Sequence, residues 1–276
     1  MILKIIKRCC FLFLLVLTFT AQAFPAKRII ALSPHSVEML YAIGAGDKII
    51  ATTEYADFPE AAKNIPRIGG YYGIQIEKVL SLNPDLIVVW SDGNKSEDIE
   101  HLKKLGFTLF DSNPKTLESV ADNLEKLGKL TGHQKQAKVE AENYRRTLQN
   151  LKQQNQHKAK ISVFYQLWSQ PLMTVSGNSW IQKIITVCQG DNVFANASSD
   201  YPQLSLENVL VKNPQAILES KQNSVKNPID WNQWPEITAV KYQHIYTLDA
   251  DLMHRPSPRA LLGIQRLCNA LDKARL

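Results

Sequence analysis

Cysteine is scarce in this 276-residue chain: four in all, with Cys9 and Cys10 in the first ten residues and Cys188 and Cys268 far downstream. Short Cys/Cys or His/His spacings, the usual mark of a built zinc site, are missing as well; the six histidines (35, 101, 133, 157, 244 and 254) are scattered. No Gly-x-x-x-x-Gly-Lys-Ser/Thr loop is present to cradle a nucleotide phosphate, and no Gly-x-Ser-x-Gly turn to present a nucleophile. Gly44-Ala45-Gly46 is a helix terminus, since no helix opens directly after it. Basic residues exceed acidic ones, 32 to 26, but they form no cluster interleaved with aromatics, which argues against nucleic acid as a partner. These absences leave catalysis with no candidate residues, and the chain reads as a non-enzyme with no cofactor and no resident metal.

No apolar run reaches the roughly 20 residues needed to span a bilayer. The N-terminus does carry Lys4, Lys7 and Arg8 ahead of FLFLLVL, followed by Ala21-Gln22-Ala23. That order predicts a secretory signal over residues 1–23, cleaved after Ala23, and therefore export to the periplasm. Cleavage removes Cys9 and Cys10, and three basic residues of a formal charge of +6. Two cysteines remain in an oxidising compartment. They are most simply a Cys188–Cys268 disulfide, whose loop of about 80 residues constrains the unfolded chain by about 4–5 kcal/mol.

What is present is a repeat. IEKVLSLNPDLIVV (76–89) returns as LENVLVKNPQAILE (206–219) at a constant offset, with Glu77/Glu207, Val79/Val209, Asn83/Asn213 and Pro84/Pro214 in register. Tyr71 and Tyr201 precede the two copies at the same offset. Around each copy short apolar runs alternate with helical ones, the pattern of an α/β fold. Strands are expected over 28–32, 48–53, 85–90, 108–111, 161–167, 173–175, 216–218 and 245–248. Helices are expected from about 36 to 44 and over 76–82, 96–105, 116–130, 179–188, 206–211 and 256–271. Between the halves lies a long stretch without Gly or Pro, in which Ala137, Ala141, Tyr144, Leu148 and Leu151 form one narrow apolar stripe. It predicts a rigid helix about 35 Å long. The expected organisation is an N-terminal lobe (24–133), a connecting helix (134–157) and a C-terminal lobe (158–276), two similar α/β lobes facing each other across a cleft.

Loops at the expected strand ends are rich in aromatics: Tyr55 and Phe58 in TTEYADFP, Tyr71 and Tyr72 in GGYYG, Trp90 in VVWSDGN, Trp168 in YQLWSQP and Tyr201 in SDYPQ. Exposed aromatics in α/β strand-end loops suggest a pocket for a large, flat, partly apolar ligand, although Phe58 and Trp168 fit a core position equally well.

RIIALSP (28–34), YADFP (55–59), PDLIVVW with Gly93-Asn94, VCQGDNVF (187–194), YPQLSLENVL, NPQAI, RPSPR and LCNAL (267–271) together resemble, along nearly the whole chain, the cobalamin-binding class III substrate-binding proteins of ABC importers. The resemblance implies two α/β lobes on a rigid helix with little hinge closure, the same disulfide, and a corrinoid ligand. It places Tyr55 and Trp90 against the corrin ring and Asp251 and Arg255 near its amides. Tyr71 and Tyr201 stand where the family has tryptophan, and Leu252-Met253-His254 where it has Trp-Phe-Glu, so the pocket stays aromatic while the choice of corrinoid is open. With Tyr72 and Trp168 these residues make up the expected ligand site, His254 being either a pocket wall or a surface residue. Glu77 and Glu207 match the two glutamates that dock into arginine pockets of a membrane permease, which works with its ATPase subunits; the free protein is expected to be a monomer. The alternatives are a haem or ferric-siderophore receptor, in which Tyr55 or His254 would meet iron, and an exported metal-binding or scaffold protein of the same fold.

Overall fold

The computed structural model describes residues 25–221 and 229–275; the expected signal segment lies outside them. In chain order the elements are β1 (Ile29–Ala31), α1 (Pro34–Ala42), β2 (Ile49–Thr52), β3 (Gly69–Gly70), β4 (Gly73–Ile74), α2 (Ile76–Leu82), β5 (Leu86–Val89), α3 (Ser96–Lys104), β6 (Leu109–Asp111) and α4 (Ser119–Thr131). Helix α5 (Gln134–Asn155) follows, then β7 (Ile161–Gln166), β8 (Trp168–Ser169), β9 (Leu172–Met173), α6 (Trp180–Val187), β10 (Gly190–Asn192), α7 (Leu206–Lys212), β11 (Ala216–Lys221), α8 (Thr238–Lys241), β12 (Ile245–Asp249), α9 (Ala250–His254) and α10 (Ala260–Ala274).

The elements build two α/β lobes on one plan. The first sheet has the order β2-β1-β5-β6 and the second β10-β7-β11-β12, and every pairing within them is parallel. Parallel strands are covered on both faces, so successive residues enter different cores. Ile29 and Ala31 of β1 face one core and Ile30 faces another; Val163 and Tyr165 of β7 part from Phe164 in the same way. The core shared by Ile29, Ala31, Val163 and Tyr165 runs without a break through the stripe of α5, where Ala137, Ala141, Tyr144, Leu148 and Leu151 are all buried. Arg145 pins α5 to α4 by 2.7 Å ion pairs with Asp122 and Glu125, and Lys158 just beyond it pairs with Asp272 of α10 at 2.6 Å. The connecting helix is thus packed into both lobes.

The sequence repeat is a structural repeat. Helices α2 and α7 have equal length, and each ends on an asparagine in the left-handed region: Asn83 at φ 43°, ψ 64° and Asn213 at φ 43°, ψ 63°. Asparagine tolerates that conformation, and the proline that follows prevents the helix from continuing. Cys188 and Cys268 are joined, tying the end of α6 to α10 inside the second lobe.

Three local expectations differ from the structure. The helix expected over 256–271 begins only at Ala260, because Pro256 and Pro258 keep the preceding residues out of the α region; Arg255 is extended at φ −96°, ψ 113°. The helix expected from 116 starts at Ser119, since Thr116 and Ser119 exchange side-chain and backbone hydrogen bonds in a turn. The strand expected over 173–175 is β9, which spans only Leu172–Met173, while β10, β8 and the hairpin β3–β4, which have no expected counterpart, are too short to carry a period-two signal.

Candidate functional site

Every strand of a parallel sheet ends at the same edge, and the loops leaving that edge in the two lobes face each other. From the first lobe the loop after β2 brings Tyr55 and Asp57, and the loop after β5 brings Trp90 and Asp92. The second lobe contributes Trp168 after β7, Tyr201 ahead of α7, Asp251 and His254 from α9, and Arg255 just after it. Two cavities open between them. One, of about 1010 Å³, is lined by Tyr55, Asp57, Trp168, Asp251, His254 and Arg255 among others; the second, of about 580 Å³, by Trp90, Asp92, Tyr201 and His254 among others. His254 lies on the wall of both, so the two are halves of one cleft.

The aromatics stay in solvent. Tyr71 is 77% exposed, Tyr55 70% and Tyr201 47%. Tyr71 and Tyr72 meet edge to face at 5.7 Å, and the Tyr72 hydroxyl donates to Glu54 at 2.9 Å, but neither ring lines the two cavities. Trp90 is held from behind. Its backbone N–H donates to Asn94 Oδ1 at 2.8 Å while Asn94 Nδ2 donates to the Leu32 carbonyl at 2.8 Å. The His35 ring packs edge to face on the indole at 5.2 Å, and a Cβ at Gly93 would come within 2.1 Å of that indole. Only glycine at 93 leaves the ring its place. Trp168 anchors its own Nε1–H on the Gln170 carbonyl at 2.7 Å.

Helix α9 and the extended Arg255 that follows it sort the residues of DLMHR between cleft and core. Asp251, His254 and Arg255 reach the cleft, while Leu252 and Met253 turn into the core, so the structure does not bring these two of the expected ligand residues to the site. His254 Nε2 meets the Tyr165 hydroxyl at 2.9 Å and Ser220 Oγ at 3.3 Å. Burial, with the Arg255 charge beside it, draws its pKa down to about 4, so the imidazole is neutral at ordinary pH. Burial raises the Asp251 carboxyl, and Arg255 opposes it in part. For Asp57 burial also pushes upward, but the hydrogen bond and charge of Arg255 outweigh it and leave the pKa below the usual carboxylate value.

Arg255 connects the lobes. Its guanidinium pairs with Glu38 at 3.0 Å, Asp57 at 2.8 Å and Asp251 at 2.7 Å, and donates to the Tyr55 carbonyl at 3.0 Å. Tyr55 itself sits at φ 63°, a conformation that costs an L-residue roughly 1–2 kcal/mol. Sequence reasoning missed Glu38, Asp57 and Arg259, which complete this contact. One signal was available for Glu38: a carboxylate inside the apolar run Val37-Glu38-Met39-Leu40 of a helix whose residues His35 to Leu40 are all buried.

Glu77 and Glu207 stand in the first turns of α2 and α7, exposed, and neither forms an ion pair within the described residues. No group of three or more His, Cys, Asp or Glu suited to a metal ion occurs among the described residues.

Comparison with known proteins follows the same outline. The chain is 41% identical over 256 residues, 92% of its length and 93% of the relative's, to a vitamin B12-binding protein of Vibrio vulnificus. The crystal structure of the periplasmic vitamin B12-binding protein BtuF of Vibrio cholerae superposes with a TM-score of 0.86 at 39% identity, covering 91% of this chain and 98% of that one. A periplasmic haem-binding protein, RhuT of Roseiflexus, shares the fold at a TM-score of 0.80, with 20% identity over 91% of this chain and 100% of its own. Residues 29–252 match the family model described as periplasmic binding protein. A span that takes in both sheets and the connecting helix means that the chain belongs to the periplasmic binding protein family.

Proposed function

We propose that this protein is a periplasmic substrate-binding protein that captures cobalamin or a related corrinoid between its lobes and delivers it to an ABC importer. The observation that carries the reading is the joint match to the vitamin B12-binding relatives over both lobes, with aromatic side chains supplied to one cleft from each side. Such a protein does no chemistry. Tyr55, Trp90, Trp168 and Tyr201 offer the faces and edges against which a broad, flat macrocycle packs, and Tyr71 and Tyr72 extend that surface at the mouth. Asp251 and Arg255 provide the polar rim that would meet the ligand's amides. His254 reads as a wall residue: its Nε2 is engaged by Tyr165 and Ser220, which disfavours an iron-ligating role. Because α5 is packed into both lobes, affinity comes from a preformed cleft rather than from closure.

The partner reading rests on Glu77 and Glu207. Crossover helices of a parallel sheet begin at the edge where the strands end, so both carboxylates lie toward the cleft side, one per lobe. Two acids in equivalent places, neither in an ion pair among the described residues, suit a two-fold membrane permease with matching basic pockets. The deciding experiment is a calorimetric titration of the purified protein with cyanocobalamin, cobinamide and haemin. Tight binding of either corrinoid, with no Soret shift for haemin, is the expected outcome; binding of haemin alone would replace the substrate while leaving the transport class in place.

A further inference from the structure

The contact between the lobes at the cleft floor is ionic and unusually complete. Glu38, on helix α1 of the first lobe, has a side chain only 2% exposed, yet its carboxylate meets three groups of the second lobe. Arg255 Nη1 donates to Oε1 at 3.0 Å, Arg259 donates to both oxygens at 2.8 and 3.0 Å, and the Ser257 hydroxyl donates to Oε2. A buried carboxylate is tolerated only when it is paired and its lone pairs are used, and here both oxygens accept from charged donors.

The same arginines reach past Glu38 to the loop that carries Tyr55. Arg255 bonds the Tyr55 carbonyl and Asp57, and the Arg259 guanidinium lies 3.8 Å over the Phe58 ring. The strand-end loop of one lobe is therefore held by the other lobe.

From this geometry we infer that Glu38 is a positioning residue: by fixing Arg255 and Arg259 it sets the width of the cleft and the placement of Tyr55 before any ligand arrives. The second half of that statement rests on the reading of the cleft as a corrinoid site; the first half does not. With the latch intact, the bound and free proteins share one interlobe spacing. With it broken, α5 remains the main tie, the lobes sample several spacings, and only a fraction of molecules is competent to bind. Apparent affinity falls in proportion to that fraction, so a tenth of molecules competent means a tenfold weaker Kd.

The test is a pair of nitroxide labels on exposed lysines of the two lobes, Lys104→Cys and Lys241→Cys, with the interlobe distance read by pulsed electron resonance with and without cyanocobalamin. In the otherwise unaltered protein a single narrow distribution, unmoved by ligand, is expected. Glu38→Gln should broaden it in the free protein and recover the narrow form on saturation, with Kd raised about tenfold by calorimetry. Arg259→Met, at a less buried position, tests the same latch if Glu38→Gln does not fold. An unchanged distribution in the folded variants, or a ligand-driven shift in the unaltered protein, would overturn the inference. If no corrinoid binds at all, the distances in the free protein still decide whether the latch exists, and the substrate reading alone fails.

Discussion

Tyr55 shows how much one side chain can depend on its surroundings. Its ring is exposed, so truncation costs the fold little, while it lines the cleft in which the proposed corrinoid would pack. Tyr55→Ala should leave the melting temperature nearly unchanged and weaken cobalamin binding by about 2 kcal/mol, some thirtyfold in Kd, measured by calorimetry. His35 and His254 behave oppositely, being neutral because they are buried, each with its pKa drawn from 6.5 to about 4. The unfolded chain takes up these protons first as the pH falls. The stability they contribute is fully present above about pH 6.5 and is lost progressively toward pH 4, by up to roughly 3 kcal/mol for each. In urea titrations between those limits His254→Asn should flatten the pH dependence relative to the unaltered protein; an unchanged slope would mean that the imidazole is not held neutral.

At the level of elements the repeat makes a controlled comparison possible. Asn83 and Asn213 end equivalent helices in the same left-handed conformation, so replacing either by alanine should cost about 1 kcal/mol. Asn213 also accepts the Thr238 backbone N–H at 2.7 Å, so Asn213→Ala should cost about 1 kcal/mol more than Asn83→Ala in chemical denaturation. The disulfide closes a separation of 80 residues wholly inside the second lobe, and its removal by Cys188→Ser with Cys268→Ser should destabilise by about 2–5 kcal/mol in a thermal melt. The elements legible in the sequence were those with a strong period or a chemical punctuation mark. Examples are the five-residue stripe of α5 and the Asn-Pro joints after α2 and α7. Strand β10 is three residues long and begins with glycine, and α9 is a single turn wedged between β12 and a proline-rich loop. Neither is long enough to repeat anything.

For the molecule as a whole, the two lobes share one core, and the proposed docking to a permease rests on one exposed acid per lobe. Glu77→Ala combined with Glu207→Ala should leave corrinoid affinity in solution unchanged and abolish import into cells that depend on it; import at the ordinary rate would remove the docking role. The sequence by itself determined the α/β class, the duplication, the connecting helix and the presence of aromatics in strand-end loops, because these follow from local periodicity and from residue types whose chemistry is independent of partners. Tertiary structure alone decided which of those aromatics line one cleft, that Leu252 and Met253 turn inward while His254 stands between the cleft's two halves, and that Arg255 is bonded to Glu38, more than two hundred residues away. Those facts depend on which residues become neighbours when two distant halves pack, and no spacing along the chain encodes that distance.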